Sequence, residues 1–230
     1  MELKRNTLAS LVLIASGLSL PAYAADSFNI NVTGVISPAA CEATITGGET
    51  IDYGTIPAST LAADDVTLLP ARQTGFTITC DAPAKLGFRT VDNRAASKMT
   101  STTVVKLDSG SNWSMNVLNG LGVDGQGNNI GGWAAELTAM SSDTVSAPEG
   151  ISSIDGGATW NKLLNSAVVY LIDSLDSVLT ISEPGSVVPA AFSTFTGTLA
   201  VQAVINPAST LDLSQPVTLD GSVTVEMVYL

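Results

Sequence analysis

The stretch VTLDGSVTVEMVYL, residues 217–230, alternates Val217, Leu219, Gly221, Val223, Val225, Met227 and Tyr229 with Thr218, Asp220, Ser222, Thr224 and Glu226. A period of two places these sets on opposite faces of a β-strand, the first mainly apolar and the second polar. The same signature recurs toward the other end, where Phe28, Ile30 and Val32 alternate with Asn29, Asn31 and Thr33 before Gly34. Between them lie TGFTITC (74–80) and KLGFRTV (85–91), with DAP read as the turn that joins them. Further strands are expected at 102–107, 114–124, 166–173 and 197–205.

Helical periodicity is hard to find, and short runs punctuated by Gly, Pro, Asn and Asp predict an all-β chain folded as an antiparallel β-sandwich. Residues 134–165 read as a long loop-rich insertion, with AAELTAM (134–140) as strand or helical turn and SAPEGISSIDGGATWNK (146–162) as a surface loop. No internal repeat or linker divides the rest.

At the other terminus, Lys4 and Arg5 precede an apolar run of 13 residues from Leu8 to Leu20, and Ala22-Tyr23-Ala24 follows. That order is a secretory signal with a small-x-small cleavage site. The run is shorter than the roughly 20 residues of a membrane-spanning helix. The expected organisation is a signal peptide over 1–24 and one β-sandwich domain over 25–230, exported and not inserted in a membrane.

The formal charge is −12, and loss of Glu2, Lys4 and Arg5 with the signal makes the remainder more acidic by one charge. Nucleic acid is thereby disfavoured as a partner, since its binding relies on clustered Lys and Arg. Cys41 and Cys80 are the two cysteines, and in an oxidising compartment they are expected to pair.

The chain contains no histidine. This excludes the usual Ser-His-Asp and Cys-His arrangements and imidazole-based zinc sites, and no carboxylate pair stands in a recognisable hydrolase signature. Gly120, Gly122 and Gly125 fit G-x-G-x-x-G, but no helix follows to receive a pyrophosphate. DGQGNNIG (124–131) has Asp124, Gln126 and Asn128 at calcium-loop spacing, yet Asn129 stands where that loop needs glycine and Ala135 where it needs a bidentate carboxylate. Both stretches read as turns, and neither metal nor cofactor is expected. Trp133 and Trp160, in the loop-rich region, are the indoles best placed to stack on a sugar ring.

Taken together, VTGVISPAAC (32–41), Cys80 at a strand end and the terminal VTLDGSVTVEMVYL resemble the subunits of chaperone/usher fimbriae. GGETIDYGTIPASTL (47–61), VDNRA (91–95) and GLGVDGQGNNIGGW (120–133) look more narrowly like a group of fimbrial-like exported bacterial proteins. The resemblance implies an immunoglobulin-like sandwich lacking its last strand, so that a groove lies open on the core. A periplasmic pilus chaperone would fill the groove first, and the N-terminal strand of another fimbrial subunit would replace it at the outer-membrane usher, on the way to the cell surface and a role in cell adhesion.

Carried onto this chain, the groove edge is Val217, Leu219, Gly221, Val223, Val225, Met227, Tyr229 and Leu230, with Tyr229 and Leu230 at the anchoring end. Two departures from the family stand out. Where pilins carry a glycine on this strand the chain has Val217, and its own glycine is Gly221. Only Ala25, Asp26 and Ser27 precede Phe28 after the signal, so Phe28, Ile30, Val32, Gly34 and Ile36 are either a donated strand or the first strand of the core. The competing reading is a self-contained secreted β-sandwich that binds a host glycan through the Trp133–Trp160 region.

Overall fold

The computed structural model describes residues 29–35, 37, 39–173 and 177–230. It divides the chain into two units, Met1–Ser37 and Pro38–Leu230. The signal expected over 1–24, and Phe28 and Ile36, lie outside the described residues. Within the first unit, residues 29–35 and 37 form neither helix nor strand, and Ile30, Val32 and Val35 are 78%, 93% and 94% exposed. The strand expected from Phe28 to Thr33 is therefore not formed over 29–33: the alternation is there, but no ladder partner pairs with it.

The second unit is all-β and antiparallel throughout. Its strands are β1 (Cys41–Ile45), β2 (Thr67–Leu68), β3 (Arg72–Asp92), β4 (Val104–Lys106), β5 (Asn112–Ser114), β6 (Asn119–Gly120) and β7 (Gly131–Ser142). They continue with β8 (Glu149–Ser153), β9 (Asn161–Lys162), β10 (Val169–Tyr170), β11 (Val178–Ser182), β12 (Ala191–Ile205) and β13 (Val223–Tyr229). No helix among the described residues is long and apolar enough to cross a membrane.

The architecture turns on β3, a strand of 21 residues that belongs to both layers of a sandwich. Its first half lies between β1 and β12, and β12 continues to β7 and β10. Its second half lies between β13 and β11, and β11 continues to β8 and β9. DAP is therefore not a turn but the crossing between layers. Pro83 has no N–H for a ladder, and the register with β12 breaks nearby, between Phe192 and Thr194. A break of this kind lets one strand bend from one sheet into the next.

The core forms where the layers face each other. Phe76, Phe88, Phe192 and Phe195 make edge and tilted contacts at centroid distances of 5.5 to 6.3 Å, around Ile78, Leu86, Leu137 and Ile181. The presumed loop region is largely strand: AAELTAM lies inside β7, and β8 and β9 come out of SAPEGISSIDGGATWNK. All five residues of β11 are buried, which removes the alternation that would have announced it.

One charge sits inside this apolar frame. Glu136 on β7 is 1% exposed; its Oε1 accepts a 2.6 Å hydrogen bond from Trp113 Nε1 while Oε2 has no partner. Trp113→Phe should then destabilise the protein by about 1–3 kcal/mol by leaving the whole carboxylate unsatisfied, beyond the loss of packing. Adding Glu136→Leu to that variant should recover part of the loss, measured by urea unfolding; an additive further loss would contradict this account.

Candidate strand-accepting groove

Two edge strands face the same open side of the sandwich. Among the described residues β1 pairs only with the first half of β3 and β13 only with the second half, so each leaves one backbone edge free. The identity of the free groups follows from the ladder ends. Leu230 N–H donates to Lys85 O and Ser222 O accepts from Asn93 N. Opposed residues in an antiparallel pair alternate between bonded and unbonded, so Thr224, Glu226 and Val228 bond to β3. The N–H and C=O groups of Val223, Val225, Met227 and Tyr229 point away from it.

The same reasoning applies to β1. Asp81 N–H donates to Ala40 O and Thr46 N–H to Gly75 O, which turns the backbone of Cys41, Ala43 and Ile45 outward. Cys41 N–H confirms the direction, because it donates to the Tyr229 hydroxyl at 3.2 Å. Tyr229 thus spans from one edge strand to the other, at the point where the Cys41–Cys80 disulfide ties β1 to β3. Cys41 and Cys80 are directly opposite in the ladder, which is the pairing expected from the sequence.

Side chains line the same opening. Ile45 and Met227 are half-buried against the core that contains Phe76 and Phe88. Val225 and Tyr229 remain 37% and 49% exposed. Along β13 the expected alternation therefore holds from Val223 to Tyr229, with Leu230 bonded beyond it.

Residues 217–222 depart from the expected single long strand. They are extended but unpaired, because other contacts hold them. Arg94 clasps the Asp220 carboxylate through Nε and Nη2 at 2.8 and 3.0 Å, and Asp220 N–H donates to Leu121 O. A Cβ on Gly221 would lie 2.6 Å from Trp133 Nε1, so this glycine makes room for the chain's own indole. Val217 and Leu219 pack on a second cluster with Leu121, Ile130 and Ile205.

There they form one wall of a cleft of about 700 Å³. The opposite wall is the chain that follows β1, with Ile51, Tyr53 and Ile56. Ile51 also packs with Ile45 and Met227 on the main core, so this cleft and the opening between β1 and β13 share a residue. The Tyr53 hydroxyl donates to Val201 O and accepts from Ala203 N–H, both at 3.2 Å, which fixes that wall to β12. Burial raises the Tyr53 pKa. This second wall was missed in the sequence because its residues form no strand and do not alternate.

The other candidate residues are used internally. Trp133 Nε1 donates to Gly120 O and Trp160 Nε1 to Gly157 O, each at 3.0 Å, and both indoles are half-buried against their own chain. The calcium-like turn closes on itself. Asp124 accepts from the N–H groups of Gln126, Asn128 and Asp212 and from Asn128 Nδ2, and these donors hold its carboxyl far below the usual range. Among the described residues no group of three or more His, Cys, Asp or Glu could hold a metal ion.

Tyr229→Phe should release the Cys41 amide and leave β13 paired. Hydrogen exchange at Cys41 should accelerate while stability falls by about 0.5–1.5 kcal/mol, the net worth of one hydrogen bond. Unchanged exchange at Cys41 would mean that the bridge does not form in solution.

Comparison with known proteins places a family described as "Protein of unknown function (DUF1120)" on residues 30–134, which include β1 and β3. The chain is also similar to Protein GltF of Escherichia coli (strain K12), with 24% identity over 254 aligned positions covering 100% of both chains. Uncharacterized protein YhcF of the same organism is 26% identical over 246 positions, covering 98% of this chain and 100% of that one.

Proposed function

We propose that this chain is a non-enzymatic structural or accessory subunit of a chaperone/usher fimbria, exported to the periplasm and assembled at the cell surface. Its groove accepts an extended strand from another polypeptide: first a periplasmic chaperone, then a neighbouring subunit at the outer-membrane usher. The observation that carries this reading is the pair of free edges. β1 and β13 flank one opening, with outward backbone groups on alternate residues of both and aliphatic side chains between them. Strand addition needs this combination: main-chain bonds supply affinity and alternate side chains supply specificity.

The segment 29–35 supports a donor role for the N-terminal residues. Ile30 and Val32 alternate with polar residues, stand free of any strand and are largely exposed. A donor of this kind would bury four or five apolar side chains, Phe28, Ile30, Val32 and Ile36 among them. At roughly 1.5–3 kcal/mol each this comes to about 6–15 kcal/mol, comparable to the stability of a whole domain. An unfilled groove is therefore a large deficit.

Expressed alone in a periplasm without fimbrial chaperones, the chain should be degraded or aggregate. Co-expressed with the chaperone of its source, it should purify as a one-to-one complex that Val225→Asp or Met227→Asp abolishes. Accumulation of a folded monomer without any chaperone would overturn the proposal.

A further inference from the structure

A second cleft, of about 500 Å³, opens between residues 64–66, 99–103, 128–129 and 206–210. Its floor is apolar, with Met99 and Met115 buried there, and Pro207 lies on one side. Its polar lining is unusually one-sided in chemistry. Three asparagines spend their amide N–H groups on the protein: Asn128 Nδ2 donates to Asp124 Oδ2, Asn129 Nδ2 to Lys98 O and Asn206 Nδ2 to Asn129 O, at 2.8 to 2.9 Å.

In each amide the group left over is the carbonyl oxygen, an acceptor. Thr210 likewise donates its hydroxyl proton to Pro207 O at 2.7 Å, which leaves lone pairs. Asp64 is exposed, and its carboxylate has no partner among the described residues. No lysine or arginine lines the cleft; the neighbouring Lys98 directs its ammonium toward Asp92 and Asp173, at 3.9 Å from each.

A ligand complementary to this surface brings many hydrogen-bond donors, carries no negative charge and offers apolar patches to a methionine floor. Vicinal hydroxyls on a pyranose meet all three conditions, and the volume is in the range of a small-ligand site rather than an ion site. We infer that this cleft binds a short neutral oligosaccharide, with the three asparagine carbonyls and Asp64 accepting from its hydroxyls. The site uses none of the tryptophans and is independent of the strand-accepting groove, so it holds whether or not the chain is a fimbrial subunit.

The test uses the full chain, alone or in complex with whichever partner keeps it folded. Saturation-transfer NMR is run against lactose, mannobiose and diacetylchitobiose, with sialyllactose, calcium chloride and spermidine as charged probes. At least one neutral disaccharide should bind, Asp64→Ala should weaken it about tenfold through loss of a charge-assisted hydrogen bond, and Trp160→Ala should leave it unchanged. Because Asp64 is exposed and unpartnered, that variant retains the fold, which the amide spectrum verifies. Binding of none of the sugars, equal binding of sialyllactose, a response to calcium or spermidine alone, or binding that survives Asp64→Ala would each overturn the inference.

Discussion

Everything at the open side of this sandwich depends on one constraint: β3 is a single strand shared by two layers. Because its first half carries β1 as an edge and its second half carries β13, both unpaired edges fall on the same side of the core. Two separate strands joined by a turn would not force that coincidence. The crossing is made possible by Pro83, which cannot donate to a ladder, and by the register break in β12 nearby.

The walls of the opening are held by polar links rather than by sheet. Asp92, at the end of β3, has a fully buried side chain that accepts from Arg94 N–H and Gly120 N–H at 2.8 Å. Arg94 in turn holds Asp220, and Asp124 holds Asp212, so both ends of the chain segment that leads into β13 are tied to the turns around residues 92–98 and 120–128. The donors at Asp124 favour the ionised carboxylate. This is how a segment with no strand partner stays extended beside an apolar cleft.

Much of this was legible from residues alone. The alternation of 217–230 gave the groove-facing set on β13 correctly, since a half-buried edge strand keeps a period of two. It did not show that the strand starts only at Val223, because Asp220 and Gly221 look like ordinary members of the polar and apolar sets, and their roles depend on Arg94 and Trp133, far away in sequence. β11 was invisible for the opposite reason: a strand buried on both faces has no alternation to read. The 28–33 run shows the limit of pattern from another direction. Alternation reports what a segment would bury if paired, and in the described residues 29–33 nothing pairs with it.

The central claim is that the free edge of β13 is a binding surface for an extended apolar strand. Its most direct test is residue-resolved hydrogen exchange on the full chain, with and without an excess of a synthetic peptide of residues 28–36. The account predicts that the peptide protects the amides of Val223, Val225, Met227 and Tyr229, which point away from β3, while those of Thr224, Glu226 and Val228 change little. Unaltered exchange along β13, or protection that ignores this alternation, would contradict it.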